Sequence, residues 1–167
     1  MPASGEVTLL PSGFGESSRG NFLLRVSTNP PPMETSEGPS GSSGTMTDAS
    51  EIEGIGLPVG DLPLGAEVTS LLGEGDDVIS RGYAQAFTFE GRAGQEVAFE
   101  VVADFDTYMY LAGPGLGGVM SDDDSAGSLN ARIQLTLPES GTYTVIASAL
   151  SEGTVGDFRV RSLRVVR

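Results

Sequence analysis

From about residue 64 onward, apolar and polar side chains alternate with a period of two, which is the pattern of β-strands with one buried face. The stretch "QEVAFEVVA" (95–103) places Val97, Phe99 and Val101 on one face and Glu96, Ala98 and Glu100 on the other. A weaker strand precedes it at residues 64–72. The same alternation runs through residues 84–91, 106–113, 131–138, 141–148 and 156–166, with Gly, Pro and Asp turns between the segments.

This spacing predicts an all-β domain built mainly from antiparallel strands, since one face of each segment stays polar. Phe87 and Phe89 share a face, as do Phe158 and Val160, with Arg159 and Arg161 opposite. No segment has helical periodicity with capping residues.

The sequence divides into three parts. Residues 53–167 form the predicted sandwich, and residues 28–52 are rich in Pro, Gly, Ser and Thr, which predicts a flexible linker. Residues 1–27 contain two further strand-like segments.

Residues 1–27 resemble the end of the main domain. "SGEVTLLPSGFGESSRGNFLLRVS" (4–27) aligns without a gap on "SGTYTVIASALSEGTVGDFRVRSL" (140–163), and both turn and face positions correspond. We interpret residues 1–27 as a two-strand remnant of a preceding, similar module. Two strands alone do not form a stable sheet, so we expect them to fray, to pack on the sandwich or to pair with another chain, including a second copy.

The composition limits the chemistry of this 167-residue chain, which has no Cys, His, Trp or Lys. Cys–His, Ser–His–Asp and Schiff-base catalysis are therefore excluded within it, and a zinc site lacks its usual ligands. A hydrolase using a pair of carboxylates is the remaining enzymatic alternative, and we disfavour it because a small sandwich has little room for a deep cleft.

A formal net charge of -14 argues against a nucleic-acid partner, because phosphate contacts require a basic patch. No apolar run is long enough to predict a membrane span, and the first ten residues do not have the pattern of a signal peptide. The outward arginines at 159, 161 and 164 are interpreted as solubilising the edge of a terminal strand, with a polyanion-binding stripe as the alternative.

An ordered series of motifs covering residues 64–165 resembles the bacterial pre-peptidase C-terminal domain family. The motifs are "GRAGQ" (91–95), "DFDTY" (104–108), "DDD…NARI" (122–133), "LPESGTY" (137–143) and a final Gly-x-Phe strand (156–158). The resemblance implies a β-sandwich of the jelly-roll type, here with about seven to nine strands. It also implies a non-catalytic module appended to secreted bacterial proteins. Relatives that include the collagen-binding modules of collagenases bind calcium and an extracellular polymer.

Three acidic groups are candidate calcium ligands, because calcium binds six to eight oxygen atoms, largely from carboxylates and carbonyls. Asp104 and Asp106 share a face if the chain is extended there. The calcium-binding relatives also have an acidic segment leading into the sandwich, which Glu74 and its neighbours match loosely. The full candidate set is Asp76, Asp77, Asp104, Asp106, Asp122, Asp123 and Asp124.

The alternative is that these aspartates are turn residues, because Asp and Gly are preferred in hairpin loops. The "SDDDSAGS" loop (121–128) does not match an EF-hand: Ala126 stands at a ligand position, and Ile133 stands where the bidentate Glu belongs.

The sequence thus predicts a non-catalytic accessory module of an exported bacterial protein, outside the cell or on its surface, which supports or targets a larger protein by contacting a protein or an extracellular polymer. The alternative is a structural unit in which the hairpin of residues 1–27 completes a neighbouring sheet by strand addition.

Overall fold

The structure, a computed structural model, describes residues 43–165, and these form two β-sheets packed face to face. Eight of the strands have four residues or more, and no α-helix occurs in this range. The elements are β1 (Thr45–Thr47), a 3-10 helix (Ala49–Ile52), β2 (Gly60–Asp61), β3 (Glu67–Leu72), β4 (Asp77–Ile79), β5 (Gly82–Gly91), β6 (Glu96–Ala103), β7 (Thr107–Ala112), β8 (Val119–Asp122), β9 (Ala131–Thr136), β10 (Gly141–Ala149) and β11 (Gly156–Arg164).

One sheet has seven strands in the order β1-β8-β7-β10-β5-β2, with β4 also paired to β5, and the other has four in the order β3-β11-β6-β9. Among the described strands, only the two-residue β2 pairs in parallel, with β5. The predicted all-β, antiparallel sandwich is therefore confirmed, with four strands in addition to the predicted ones: the four-residue β8 and the shorter β1, β2 and β4.

The main core lies between the sheets and contains the side chains that the alternation placed inward. Val97, Phe99 and Val101 are fully buried. Phe89 of the seven-stranded sheet meets Phe99 of the four-stranded sheet edge to face, with ring centroids 5.0 Å apart. Truncating such a ring to Ala costs about 3–5 kcal/mol, so this contact is a main determinant of sheet packing.

A second, smaller core lies on the outer face of the seven-stranded sheet. There Tyr110, Val119 and Ile146 are buried with Ile79, and residues 49–56, which we call the covering segment, contribute Ile52 and Ile55. Strand β7 is therefore buried on both faces, because Met109 and Leu111 point into the main core.

The covering segment corrects the predicted end of the linker. Residues 45–52 were assigned to the flexible linker, but Thr45–Thr47 pairs with β8 and a 3-10 helix follows it. The composition of residues 45–52 did not indicate these elements, because Met46 and Ile52 are the large apolar side chains in a stretch that is otherwise small or polar. Residues 28–42 of the linker and the predicted remnant at residues 1–27 lie outside the described residues.

The interpretation of Arg159 and Arg161 as edge residues was wrong. Strand β11 lies between β3 and β6 rather than at an edge of its sheet. Among residues 43–165, no helix has the length and hydrophobicity that crossing a membrane requires.

Candidate functional site

The acidic residues predicted from the sequence collect at one end of the sandwich, which we call the acidic end. Loops 104–106, 123–130 and 150–155 meet there: the Leu150 N–H donates to the Asp106 carbonyl (2.9 Å), and the Thr107 N–H donates to the Leu129 carbonyl (3.0 Å). The loop after β3 also ends there, because Leu72 of β3 is in register with Gly156 at the start of β11. The acidic residues of these loops and the adjoining strand ends are Glu74, Asp76, Asp77, Asp104, Asp106, Asp122, Asp123, Asp124, Glu152 and Asp157.

Three of the candidate calcium ligands accept hydrogen bonds from the backbone. Asp76 accepts from the Gly73 N–H (2.8 Å), and Asp77 accepts from the Gly56 N–H (2.7 Å). Asp122 accepts from the N–H groups of Ser125 (3.0 Å) and Arg132 (2.8 Å). These carboxylates fix loops and the covering segment, which is the turn chemistry weighed as the alternative.

The remaining candidates, Asp104, Asp106, Asp123 and Asp124, lie on two adjacent loops. Within residues 43–165, no three acidic side chains are grouped so that they would hold one metal ion. The structure therefore brings the predicted ligands to one end of the sandwich without gathering them around one point. Calcium binding stays a prediction.

The outer face of the four-stranded sheet, which we call the open face, carries a row of alternating charges. Glu67, Arg161, Glu100 and Arg132 occupy neighbouring register positions on β3, β11, β6 and β9. Cross-strand pairs of opposite charge stabilise a sheet, so this row connects all four strands.

Glu100 lies at the centre of the row. It is only 8% exposed and is contacted by two arginines: the Arg132 guanidinium donates to it, and Arg161 Nε lies 3.2 Å from it. Glu67, by contrast, is more exposed and lies at 3.8–3.9 Å from Arg161 and Arg159. The buried Glu100 carboxylate therefore lies between two arginines of the open face.

Beside this row the open face has a shallow cleft of about 210 Å³. Phe158 of β11 is in register with Ala103 of β6. Asp157 precedes Phe158 and Asp104 follows Ala103 in antiparallel strands, so the two aspartates occupy opposite positions. Like charges in opposite positions are unfavourable unless a cation lies near both. The lining residues are Thr69, Val102, Ala103, Asp104, Asp157, Phe158 and Arg159.

Two exposed apolar side chains adjoin this cleft. Leu71 is 58% and Val155 is 57% exposed. Leu71 is in register with Asp157, and Val155 precedes Gly156, which is in register with Leu72. Both therefore lie at the acidic end of the open face. Exposed apolar side chains next to each other are more informative than scattered ones.

On the outer face of the seven-stranded sheet, a polar network around Glu51 holds the covering segment in place. The Glu51 carboxylate accepts from Ser80 Oγ (2.9 Å) and from the Tyr110 hydroxyl (3.2 Å), and it lies 3.8 Å from Arg81 Nε. Arg81 in turn stacks over the Tyr108 ring at 4.0 Å. Burial raises the pKa of Tyr110 to about 12. The network fixes the covering segment on this face.

A larger cleft, of about 580 Å³, lies at the opposite end of the sandwich, where Leu64, Arg92 and Arg164 contribute to its lining. Val165 is also part of the lining, and the described range ends there. We assign it no role.

Sequence reasoning missed Asp157, Glu100 and the cleft. Asp157 was one polar position in an alternating strand, and it faces Asp104 only because β11 pairs with β6. No local signal in the sequence encodes that pairing.

Comparison with solved structures finds similar β-sandwiches. The pre-peptidase C-terminal domain of collagenase from Bacillus anthracis has a TM-score of 0.47 at 11% identity, covering 64% of this chain and 96% of that chain. PliG of Salmonella Typhimurium, a periplasmic inhibitor of g-type lysozyme, has a TM-score of 0.43 at 19% identity, covering 62% and 96%. CorA of Methylomicrobium album BG8, a surface-associated copper-binding protein, has a TM-score of 0.43 at 9% identity, covering 65% and 98%.

No protein-family model matches the sequence, and no curated protein matches it significantly. The three structural similarities given above have TM-scores below 0.5 and carry no functional assignment.

Proposed function

We propose that this chain is a non-catalytic binding module of an exported bacterial protein, and that it contacts its partner through the open face. The observation that carries the proposal is the difference between the two outer faces. One face is covered by residues 49–56 of the chain itself, whereas the other presents the charge row, the cleft and the exposed Leu71 and Val155.

Export and attachment to a larger protein rest on the sequence motifs shared with the pre-peptidase C-terminal family. Both a protein and an extracellular polymer fit an open sheet face, because each presents an extended contact surface. A small molecule would instead require a deeper pocket.

The proposal is tested by co-sedimentation of the purified chain with insoluble collagen, chitin, cellulose and peptidoglycan. A Thr69→Arg variant places a bulky charge on the open face and is expected to lose binding. Thr142→Arg is the matched control, because Thr142 is also an exposed strand residue but belongs to the seven-stranded sheet. Equal binding by both variants would exclude the open face as the contact surface, and no binding by the wild-type chain would refute the polymer form of the proposal.

In the calcium form of the proposal, one ion lies between two adjacent acidic loops. Asp104 and Asp106 belong to one of these loops. The other loop contributes Asp122, Asp123 and Asp124, and Asp76 and Asp77 are further ligands. This form is supported by the position of these loops, which lie at the same end of the sandwich. Thermal unfolding in calcium, magnesium and EDTA tests it. Binding to the folded state at a hundredfold excess over Kd stabilises by about 2.7 kcal/mol. A calcium-specific rise that Asp106→Asn abolishes would establish the site, and identical curves would leave these residues as turn formers.

The structural alternative is strand addition by residues 1–27, which the repeat in the sequence favours. Its expected signature is a concentration-dependent mass in size-exclusion chromatography with light scattering. A constant monomer mass across a hundredfold range of concentration would count against it.

A further inference from the structure

We propose that the cleft between Asp104 and Asp157 receives a cationic side chain, arginine or lysine, from a protein segment whose neighbouring apolar side chains pack on Leu71 and Val155. This inference rests on the proposed function and names the chemistry of the partner at the open face.

The cleft has the size of a single side chain rather than of a free ligand. At about 210 Å³ it is smaller than the pockets that hold drug-sized ligands, which span about 300–1,000 Å³. It is open on the sheet surface and lies between neighbouring strands. A single side chain of a docked protein fits such a recess better than a free metabolite does.

The cleft carries two acidic side chains without a cationic partner among the described residues. Asp104 and Asp157 lie opposite each other in the lining, and neither carboxylate makes a hydrogen bond or an ion pair within residues 43–165. Arg159 also lines the cleft, but its ion-pair partner is Glu67, at 3.9 Å. A cation placed between the two aspartates would relieve their mutual repulsion, and the other acidic groups of this end would steer it there.

Exposed apolar surface adjoins the cleft. Leu71 and Val155 are more than half exposed and adjoin the cleft, and Val102 contributes to its lining. An isolated metal ion or a free cation would leave this surface in water, whereas a peptide segment buries it while its cationic side chain enters the cleft. Charge and apolar contact together therefore favour a basic–apolar protein segment.

The test is a titration of the full chain with the peptide acetyl-Gly-Leu-Arg-Val-Gly-amide, followed by ¹H–¹⁵N NMR. We expect saturable shifts at the amides of Thr69, Val102, Asp157 and Arg159. A peptide with citrulline in place of arginine, which keeps the shape and removes the charge, is expected to bind about tenfold more weakly.

The double variant Asp104→Asn, Asp157→Asn should weaken binding of the arginine peptide about tenfold or more. The matched control is Asp123→Asn, Asp124→Asn, which removes the same charge from another loop of the acidic end and should change the affinity less than twofold. Dispersed amide spectra of both variants verify that they fold.

Equal weakening by the two double variants, or equal binding of the citrulline peptide, would overturn the proposal in favour of unspecific attraction to the acidic end. Calcium chloride that saturates the same amides and displaces the peptide would overturn it in favour of a metal. Either result leaves the proposed function to be judged by its own experiment. If the chain co-sediments with a polymer and Thr69→Arg abolishes this binding, the open face is a contact surface even when no peptide binds in this cleft.

Discussion

Glu100 illustrates what single residues contribute beyond the alternating pattern. In the sequence it is the polar partner of Phe99 and Val101, which predicts an exposed position. In the fold it is 8% exposed because Arg132 and Arg161, which are distant in sequence, lie on either side of it. The alternation specified the face of Glu100 correctly, but its burial depends on strand pairing that no local pattern encodes.

Replacing Glu100 with Gln should destabilise the protein by about 2 kcal/mol, since it removes the charge that two half-buried arginines share. Glu67→Gln, at the exposed end of the same row, should cost less than about 1 kcal/mol. Urea unfolding of both variants measures the difference. Equal costs would mean that burial of Glu100 adds nothing to the charge row.

The buried Tyr110 should make the folded protein less stable at alkaline pH. Burial raises its pKa from the ordinary value of 10.0 to about 12, so the folded state favours the neutral phenol. This contribution is complete below about pH 10 and is lost as the pH rises towards 12. Tyr110→Phe should cost about 1–2 kcal/mol at pH 7, because the hydrogen bond to Glu51 is lost, and should flatten the decline of stability between pH 10 and 12.

Urea unfolding at a series of pH values compares the two proteins. Tyr108→Phe is the control, because its hydroxyl donates to Ser121 and not to Glu51. An unchanged decline in Tyr110→Phe would assign the alkaline sensitivity to other groups.

At the scale of elements, the strong strands were predictable and the connections between them were not. Residues 95–103 and 141–148 each carry apolar side chains at every second position, and they form β6 and β10 as predicted. Residues 49–52 of the covering segment were assigned to the linker because Ile52 is isolated in a polar stretch. The burial of Ile52 depends on the apolar outer face of β7 and β10. The central position of β11 depends likewise on pairing across the whole domain.

The position of each strand in its sheet predicts its hydrogen-exchange behaviour. β10 pairs with β5 on one side and β7 on the other and is buried along most of its length, so its amides should exchange only through global unfolding. The three-residue edge strand β1 pairs only with β8 and should exchange through local opening, at least about tenfold faster. Native-state exchange followed by NMR measures both. Equal protection of β1 and β10 would mean that β1 and its sheet unfold as one unit.

At the scale of the whole molecule, charge is distributed unevenly. Of the described arginines, Arg132, Arg159 and Arg161 lie on the open face, while the charged residues in loops 104–106, 123–130 and 150–155 of the acidic end are all acidic. The net charge of -14 was evident from composition, but its concentration at one end follows from the antiparallel topology, which returns every second loop to the same end. Asp104 and Asp106 were found from the sequence because they are two residues apart, on one face of an extended segment, whereas the position of Asp157 opposite Asp104 depends on the pairing of β11 with β6.

Mutual repulsion at the acidic end should make its stability depend on salt. Asp124 is exposed, and its side chain makes no hydrogen bond or ion pair within residues 43–165. Asp124→Lys should therefore raise the free energy of unfolding by up to about 0.5 kcal/mol in 0.01 M NaCl. The gain should vanish in 1 M NaCl, because the Debye length falls from about 30 Å to about 3 Å. Glu139→Lys, an exposed substitution in the loop between β9 and β10 at the other end, is the control and should gain less. Equal gains at both ends would mean that the total charge, and not its position in the fold, sets the electrostatic cost of folding.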